Sequence, residues 1–158
     1  MSEELQPVFS IEKIYVKDVS LEVPNAPQVF LQAEQPQVEV QLGQAAQQIQ
    51  DGLFEVALKI TVAAKSGEKT LFLVEVEQAA IFQIRNVPEA EMGPVLGVVC
   101  PNIVFPYVRE TVSDLVTRAG FPPVLLSPIN FELLHQQRLA DRARPLPDPL
   151  PRLCLWGE

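Results

Sequence analysis

The first stretch of the chain alternates apolar and polar residues, but the alternation changes phase twice. Phe9 and Ile11 share one parity, Ile14 and Val16 the other, and Val19, Leu21 and Val23 return to the first. Side chains of a strand point to opposite faces with period two, so a single strand from Val8 to Val23 must bulge or bend where the phase slips. Over its last part, Asp18, Ser20 and Glu22 line the face opposite Val19, Leu21 and Val23. Pro24-Asn25-Ala26-Pro27 ends it. A connection through Glu34-Gln35-Pro36 leads to a second strand, Val38-Glu39-Val40-Gln41-Leu42. Gln44 to Gln50, with Asp51-Gly52, reads as a turn or short link. Phe54, Val56, Leu58, Ile60 and Val62 then hold one parity, the strongest strand signal in the chain. After a hairpin turn at Lys65-Ser66-Gly67-Glu68, the return strand carries Phe72, Val74 and Val76 on one face and Leu73, Glu75 and Glu77 on the other. Short connections favour antiparallel neighbours.

The period then becomes helical. Glu89-Ala90-Glu91-Met92 begins a short helix, which Gly93-Pro94 interrupts and which resumes to Val99. Cys100-Pro101 opens the longest helix, with Pro101 at a first-turn position where a missing N–H costs nothing. Val104, Val108, Val112, Leu115 and Val116 recur at helical spacing, and Arg118 complements the dipole in the last turn. Gly120 stops the helix before Phe121-Pro122-Pro123. Pro106 removes one backbone hydrogen bond and predicts a kink. Asn130 is the expected N-cap of a last helix from Phe131 to Arg144, weakly amphipathic through Phe131, Leu134 and Leu139. Strands followed by helices predict an α+β fold: a four-stranded antiparallel sheet with a long kinked helix and a shorter C-terminal helix on one face. Residues 1–144 form one domain in this reading, and Pro145 to Pro151 open an extended, Pro-rich tail over residues 145–158.

Composition narrows the possibilities. The 158 residues are enough for one domain that buries about 70% of its unfolded surface. No apolar run reaches the roughly 18 residues of a membrane span. The acidic start Met1-Ser2-Glu3-Glu4 is unlike a signal peptide, and two cysteines make no disulfide framework; both point to the cytosol. A net charge of −8 argues against nucleic acid and anionic membranes and permits a basic partner.

Little in the chain resembles catalytic machinery. His135 is the single histidine, without cysteine or acid at metal-ligand spacing, and reads as a surface or partly packed residue. No Gly-rich phosphate loop or nucleophile elbow is present. Cys100 precedes a helix, where a thiol can be activated, so it is either a nucleophile or a small buried residue beside Pro101. Asp18, Glu22 and Glu75 are more informative. All fall opposite the apolar faces of their strands, and Leu73 stands on the same face. That face is either an ordinary solvated surface or an acidic docking surface with an apolar anchor. Val38, Val40 and Leu42 are likewise either core or part of a groove.

The run Phe9-Ser10-Ile11-Glu12-Lys13-Ile14-Tyr15-Val16-Lys17-Asp18-Val19-Ser20-Leu21-Glu22-Val23 resembles the first strand of the SecB protein-export chaperones. Cys100-Pro101-Asn102-Ile103-Val104-Phe105-Pro106-Tyr107-Val108-Arg109-Glu110 resembles their long helix, and Pro128-Ile129-Asn130-Phe131 the start of their last one. The likeness is collinear from Phe9 to Leu134. It implies a cytosolic chaperone without catalytic activity or cofactor, a homotetramer built as a dimer of dimers through its long helices. Unfolded secretory precursors would wrap apolar grooves and pass to the SecA motor ATPase, whose basic segment docks on the acidic sheet face. The family's docking positions fall on Asp18, Glu22, Leu73 and Glu75. Val38, Val40 and Leu42 are the expected client groove, and Val104, Val108 and Val112 the expected tetramer face. Two alternatives stand beside this reading: a SecB-like chaperone dedicated to one client such as an antitoxin, and a small enzyme using Cys100. Two positions depart from the family. Glu34 stands where it commonly has tryptophan, and the tail is Pro-rich rather than polar.

Overall fold

Two β-bulges accommodate the double phase change of the first strand. The computed structural model describes residues 5–32 and 35–143. Strand β1 (Val8–Glu22) pairs antiparallel with β4 (Lys69–Arg85), and its register shifts between Ile11 and Lys13 and again between Val16 and Asp18. Those are the two places where the parity slips. Each bulge inserts one residue, so Phe9, Ile11, Ile14, Val16, Val19 and Leu21 all pair with the inward-facing residues of β4.

Strands β2 (Gln37–Gln50) and β3 (Leu53–Ser66) complete an antiparallel sheet in the order β1-β4-β3-β2. β2 is more than twice the length its apolar alternation predicts. Gln44 to Gln50 continue the strand, because all but Ile49, which sits at a register shift, pair with the strongly apolar β3 back to the two-residue Asp51-Gly52 turn. The polar glutamines hold no parity of their own, and the partner strand supplies the register. The connection from β1 to β2 crosses the sheet. It contains a short 3₁₀ turn, Gln28–Leu31, whose Val29 is buried.

The helical half is more continuous than expected. Helix α1 (Glu89–Pro94) runs through a π-turn, Val95–Val99, directly into α2 (Cys100–Arg118). Gly93-Pro94 therefore does not interrupt it. Pro94 and Pro101 each lack a donor, and the wider turn lies between them. Pro101 accordingly sits inside a helical run and not at a free end. By length and composition alone Glu89–Arg118 could cross a membrane, but its apolar stripe is already committed to the sheet. Val104, Val108, Val112 and Val116 are fully buried against β3 and β4. Gln78, a buried polar residue of β4, accepts a hydrogen bond from Thr111 Oγ1 at 3.3 Å and ties α2 to the sheet.

Helix α3 (Phe131–Ala143) begins as its sequence predicts: Leu133 N–H donates to Asn130 Oδ1 at 3.0 Å. Its buried Phe131 packs edge-on against Phe105 of α2. Leu139 stays half exposed, so the packing face is confined to the first turns. Arg144 and the Pro-rich tail lie outside the described residues.

Gly120 ends α2 with φ +94°, and a Cβ there would stand 3.0 Å from the Phe30 ring. Phe30 in turn lies 5.1 Å from Phe121, which lies 4.9 Å from Phe72 of β4. Left-handed backbone at a non-glycine residue costs about 1–2 kcal/mol. Gly120→Ala should therefore lower the urea-unfolding free energy by about that amount, and it should loosen the crossing segment by displacing Phe30.

Candidate functional site

A single helix cannot cover a four-stranded sheet. An α-helix with its side chains is about 10–12 Å across, and strands lie about 4.8 Å apart, so one helix covers roughly two strands. α2 lies over the central pair, β3 and β4. The helix-facing sides of both edge strands are left partly open, and both are apolar.

On the β1 side, Phe9, Ile11, Val16 and Val19 are 41%, 47%, 46% and 46% exposed although they face the helix layer. On the β2 side, Val38 is 44% exposed, while Val40 and Leu42 are half-buried and pack against the core. Val38, Ala64 and Phe72 form one row across β2, β3 and β4. Phe72 carries the stack of Phe121 and Phe30, so the open flank of β2 is continuous with an aromatic cluster at the sheet-crossing segment. Glu34, where the family commonly has tryptophan, lies outside the described residues.

The opposite face of the sheet is acidic at one end. Glu22 pairs with Leu73, Ser20 with Glu75, and Asp18 with Glu77, so these side chains share the outward face. All four expected docking residues are thus neighbours on two adjacent strands. Asp18 and Glu22 are exposed; Leu73 and Glu75 are half-buried, so Leu73 offers less free surface than its sequence setting implies. Glu77, not among the expected docking residues, joins them; Lys59 and Thr61 stand beside Glu77 and Glu75 on β3. Thr61 Oγ1 donates to Glu75 Oε1 at 3.5 Å.

Next to this patch the outward face carries a polar network that has no signature in the sequence. Glu55 of β3 accepts hydrogen bonds from the Tyr15 hydroxyl, from Lys17 Nζ at 2.9 Å and from Gln47 Nε2 at 3.1 Å. The donors reach it from β1 and β2, the two edges of the sheet. The bond from Tyr15 and then that from Lys17 hold the Glu55 carboxyl below its ordinary range. Burial, and then Glu55, push the Tyr15 phenol up to about 12.

The expected tetramer face requires a correction. Val104, Val108 and Val112 are fully buried within the protomer and cannot reach a partner. The outer face of α2 is instead Pro106, Tyr107, Glu110, Asp114 and Thr117, largely polar. Within the sheet, the exposed apolar side chains are on the edge strands: Phe9, Ile11, Val16 and Val19 of β1 and Val38 and Ile49 of β2.

Cys100 is fully buried, and burial alone pushes its thiol up to about 12, opposite to the activation that a helix start can provide. His135 is half-buried against the π-turn, near Gly97. Among the described residues no cluster of His, Cys, Asp and Glu could hold a metal ion.

Comparison with known proteins decides the family. The model of the family described as preprotein translocase subunit SecB matches residues 2–142. The chain belongs to the SecB family. It is 67% identical over 141 residues to the protein-export protein SecB of Chromobacterium violaceum, covering 89% of this chain and 94% of that one. Identity to the SecB of Methylobacillus flagellatus is 58% over 143 residues, covering 90% and 91%. SecB of Neisseria meningitidis serogroup B is 58% identical over 139 residues, covering 87% and 95%. The fold is similar to that of a SecB-like chaperone from Mycobacterium tuberculosis solved with an antitoxin peptide, with TM-score 0.64, 20% identity, and coverage of 77% and 90%. SecB is a family of chaperones, not of enzymes.

Proposed function

We propose that the protein holds unfolded secretory precursors in the cytosol and delivers them to the SecA motor. The observation that carries the holding role is the apolar flank of β2, open to solvent and continuous with the Phe30–Phe121–Phe72 stack. An extended chain with apolar residues at alternate positions can bury them there without competing for the protomer's own core. The docking role is supported by Asp18, Glu22, Glu75 and Leu73 as neighbours on the face the flank does not use. Relatives at 58–67% identity are export proteins, which favours this reading over a chaperone dedicated to one antitoxin.

Val38→Asp tests the holding role most cleanly. Val38 is already exposed, so a charge there should leave the protomer folded. Val40 and Leu42 are tied to the core and would confound folding with function. The variant should lose most of its ability to suppress aggregation of a denatured precursor, followed by light scattering. Undiminished suppression would reject the groove.

Assembly as a tetramer, a dimer of dimers, is part of this proposal. The uncovered strip of Phe9, Ile11, Val16 and Val19, which a second copy can bury in an isologous contact, supports one of the two interfaces such an assembly needs. The expected mass is about four times the chain mass of 17.6 kDa. Ile11→Asp should shift it to smaller species in multi-angle light scattering while the circular dichroism spectrum stays unchanged. An unaltered tetramer would place the interface elsewhere.

A further inference from the structure

The β1 half of the acidic face, Asp18 and Glu22, points outward only because β1 bulges. Tyr15 and Lys13 face outward opposite Ala79 and Ile81. Without an inserted residue after Val16, strict alternation would turn Val19 and Leu21 outward and Asp18 and Glu22 inward. The register shift between Val16 and Asp18 restores the phase. A bulge disrupts the local ladder, however, and β1 is an edge strand held by β4 alone. Something must hold the inserted residue in place.

Lys17 is that residue, and its ammonium is bonded to Glu55 at 2.9 Å. The same carboxylate accepts from Tyr15, two positions before. Both side chains reach across β4 to β3, passing the small, fully buried Ala79. Glu55 thus grips the strand on both sides of Val16 from a central strand whose own register is fixed by two neighbours. Its side chain is only 12% exposed, so solvent competes weakly for these bonds.

We propose that Glu55 is a positioning residue for the docking surface: by holding Tyr15 and Lys17 it fixes the second bulge of β1 and keeps Asp18 and Glu22 on the outward face. The proposal rests on the docking reading for its functional consequence, but the clamp itself can be measured without a partner. The pairing also neutralises Glu55, so this carboxylate orients the patch without belonging to it.

Lys17→Met separates positioning from charge. Removing a cation beside an acidic patch should tighten binding of a basic partner if only net charge matters. If Lys17 holds the bulge, binding should weaken. Glu55→Leu, which removes the acceptor, should weaken it too. Two measurements are made on the full-length protein for both variants: amide hydrogen exchange over residues 15–20, and affinity for purified SecA, with Asp18→Asn as a reference. Loss of bonds to a charged group predicts about a tenfold drop in amide protection and a similar drop in affinity for both variants. Precursor holding, which uses the flank of β2, should not change. Unchanged protection in both overturns the clamp whatever the partner does. Lost protection with equal or tighter SecA binding by Lys17→Met overturns the link from clamp to docking. If Asp18→Asn binds like the parent, the docking reading itself fails, and the functional half of the proposal fails with it.

Discussion

Val108→Asp should yield no folded protein. Val108 is fully buried in the core of the protomer, between the central strands and the axis of α2. The substitution forfeits about 1.5–3 kcal/mol of apolar burial and places a carboxylate where it finds no partner. The effective penalty for an unpaired buried charge is a further several kcal/mol, and a domain of this kind has about 5–15 kcal/mol in total. The loss is comparable with the whole stability, so the variant should be recovered without native circular dichroism or as aggregate. Glu110→Gln, on the exposed side of the same helix, should stay within about 0.5 kcal/mol of the parent. The contrast separates two uses of one helix. If α2 presented its valine stripe to a second copy, Val108→Asp would give a folded monomer. A well-folded monomer from Val108→Asp would therefore contradict the packing described here.

That outcome was only partly legible in the sequence. The periodicity of Val104, Val108 and Val112 identifies an apolar stripe, but it does not say whether a sheet or another copy covers it. Width decides: one helix covers two strands, so the stripe is consumed and the surplus apolar surface moves to β1 and β2. The outward acids were readable because strand parity is strict. Asp18, Glu22 and Glu75 share a face by counting alone, and even the bulges of β1 show as slips in its apolar phase. β2 was harder. Gln44 to Gln50 have no alternation, and their strand character comes from pairing with β3, which local pattern cannot reveal. Gly93-Pro94 misled in the opposite sense, because a π-turn absorbs the missing donors and the helix continues. The Glu55 network was invisible for a simpler reason. Tyr15 and Glu55 are 40 residues apart and sit on strands that are not neighbours.

Glu75→Lys and Leu73→Gln should both weaken SecA binding, and salt should tell them apart. Glu75 stands between Ser20 and Thr61 with Glu77 two residues along and Glu22 on the adjoining strand. A basic segment approaching this patch is steered by the summed negative potential, which ions screen over about 10 Å at 0.1 M salt. Reversing one charge in the middle of the patch should cost about tenfold in affinity at low salt, mainly through the association rate. At high salt most of that difference should vanish. Leu73 acts through burial, which screening leaves almost untouched. Full burial of a leucine is worth about 1.5–3 kcal/mol, but Leu73 is already mostly covered in the free protomer, so at most about a third remains to be gained on docking. Leu73→Gln should therefore cost about 0.5–1 kcal/mol, roughly two- to fivefold, at both salt concentrations. Neither side chain points toward the core, and the flank of β2 lies on the other side of the sheet, so precursor holding should be unaffected in both variants. Calorimetry with SecA at two salt concentrations reads all of this. If Glu75→Lys binds as tightly as the parent at low salt, the acids are a solvated surface and SecA docks elsewhere. If Leu73→Gln loses affinity only at low salt, the leucine contributes through its charged neighbours and not through its own burial.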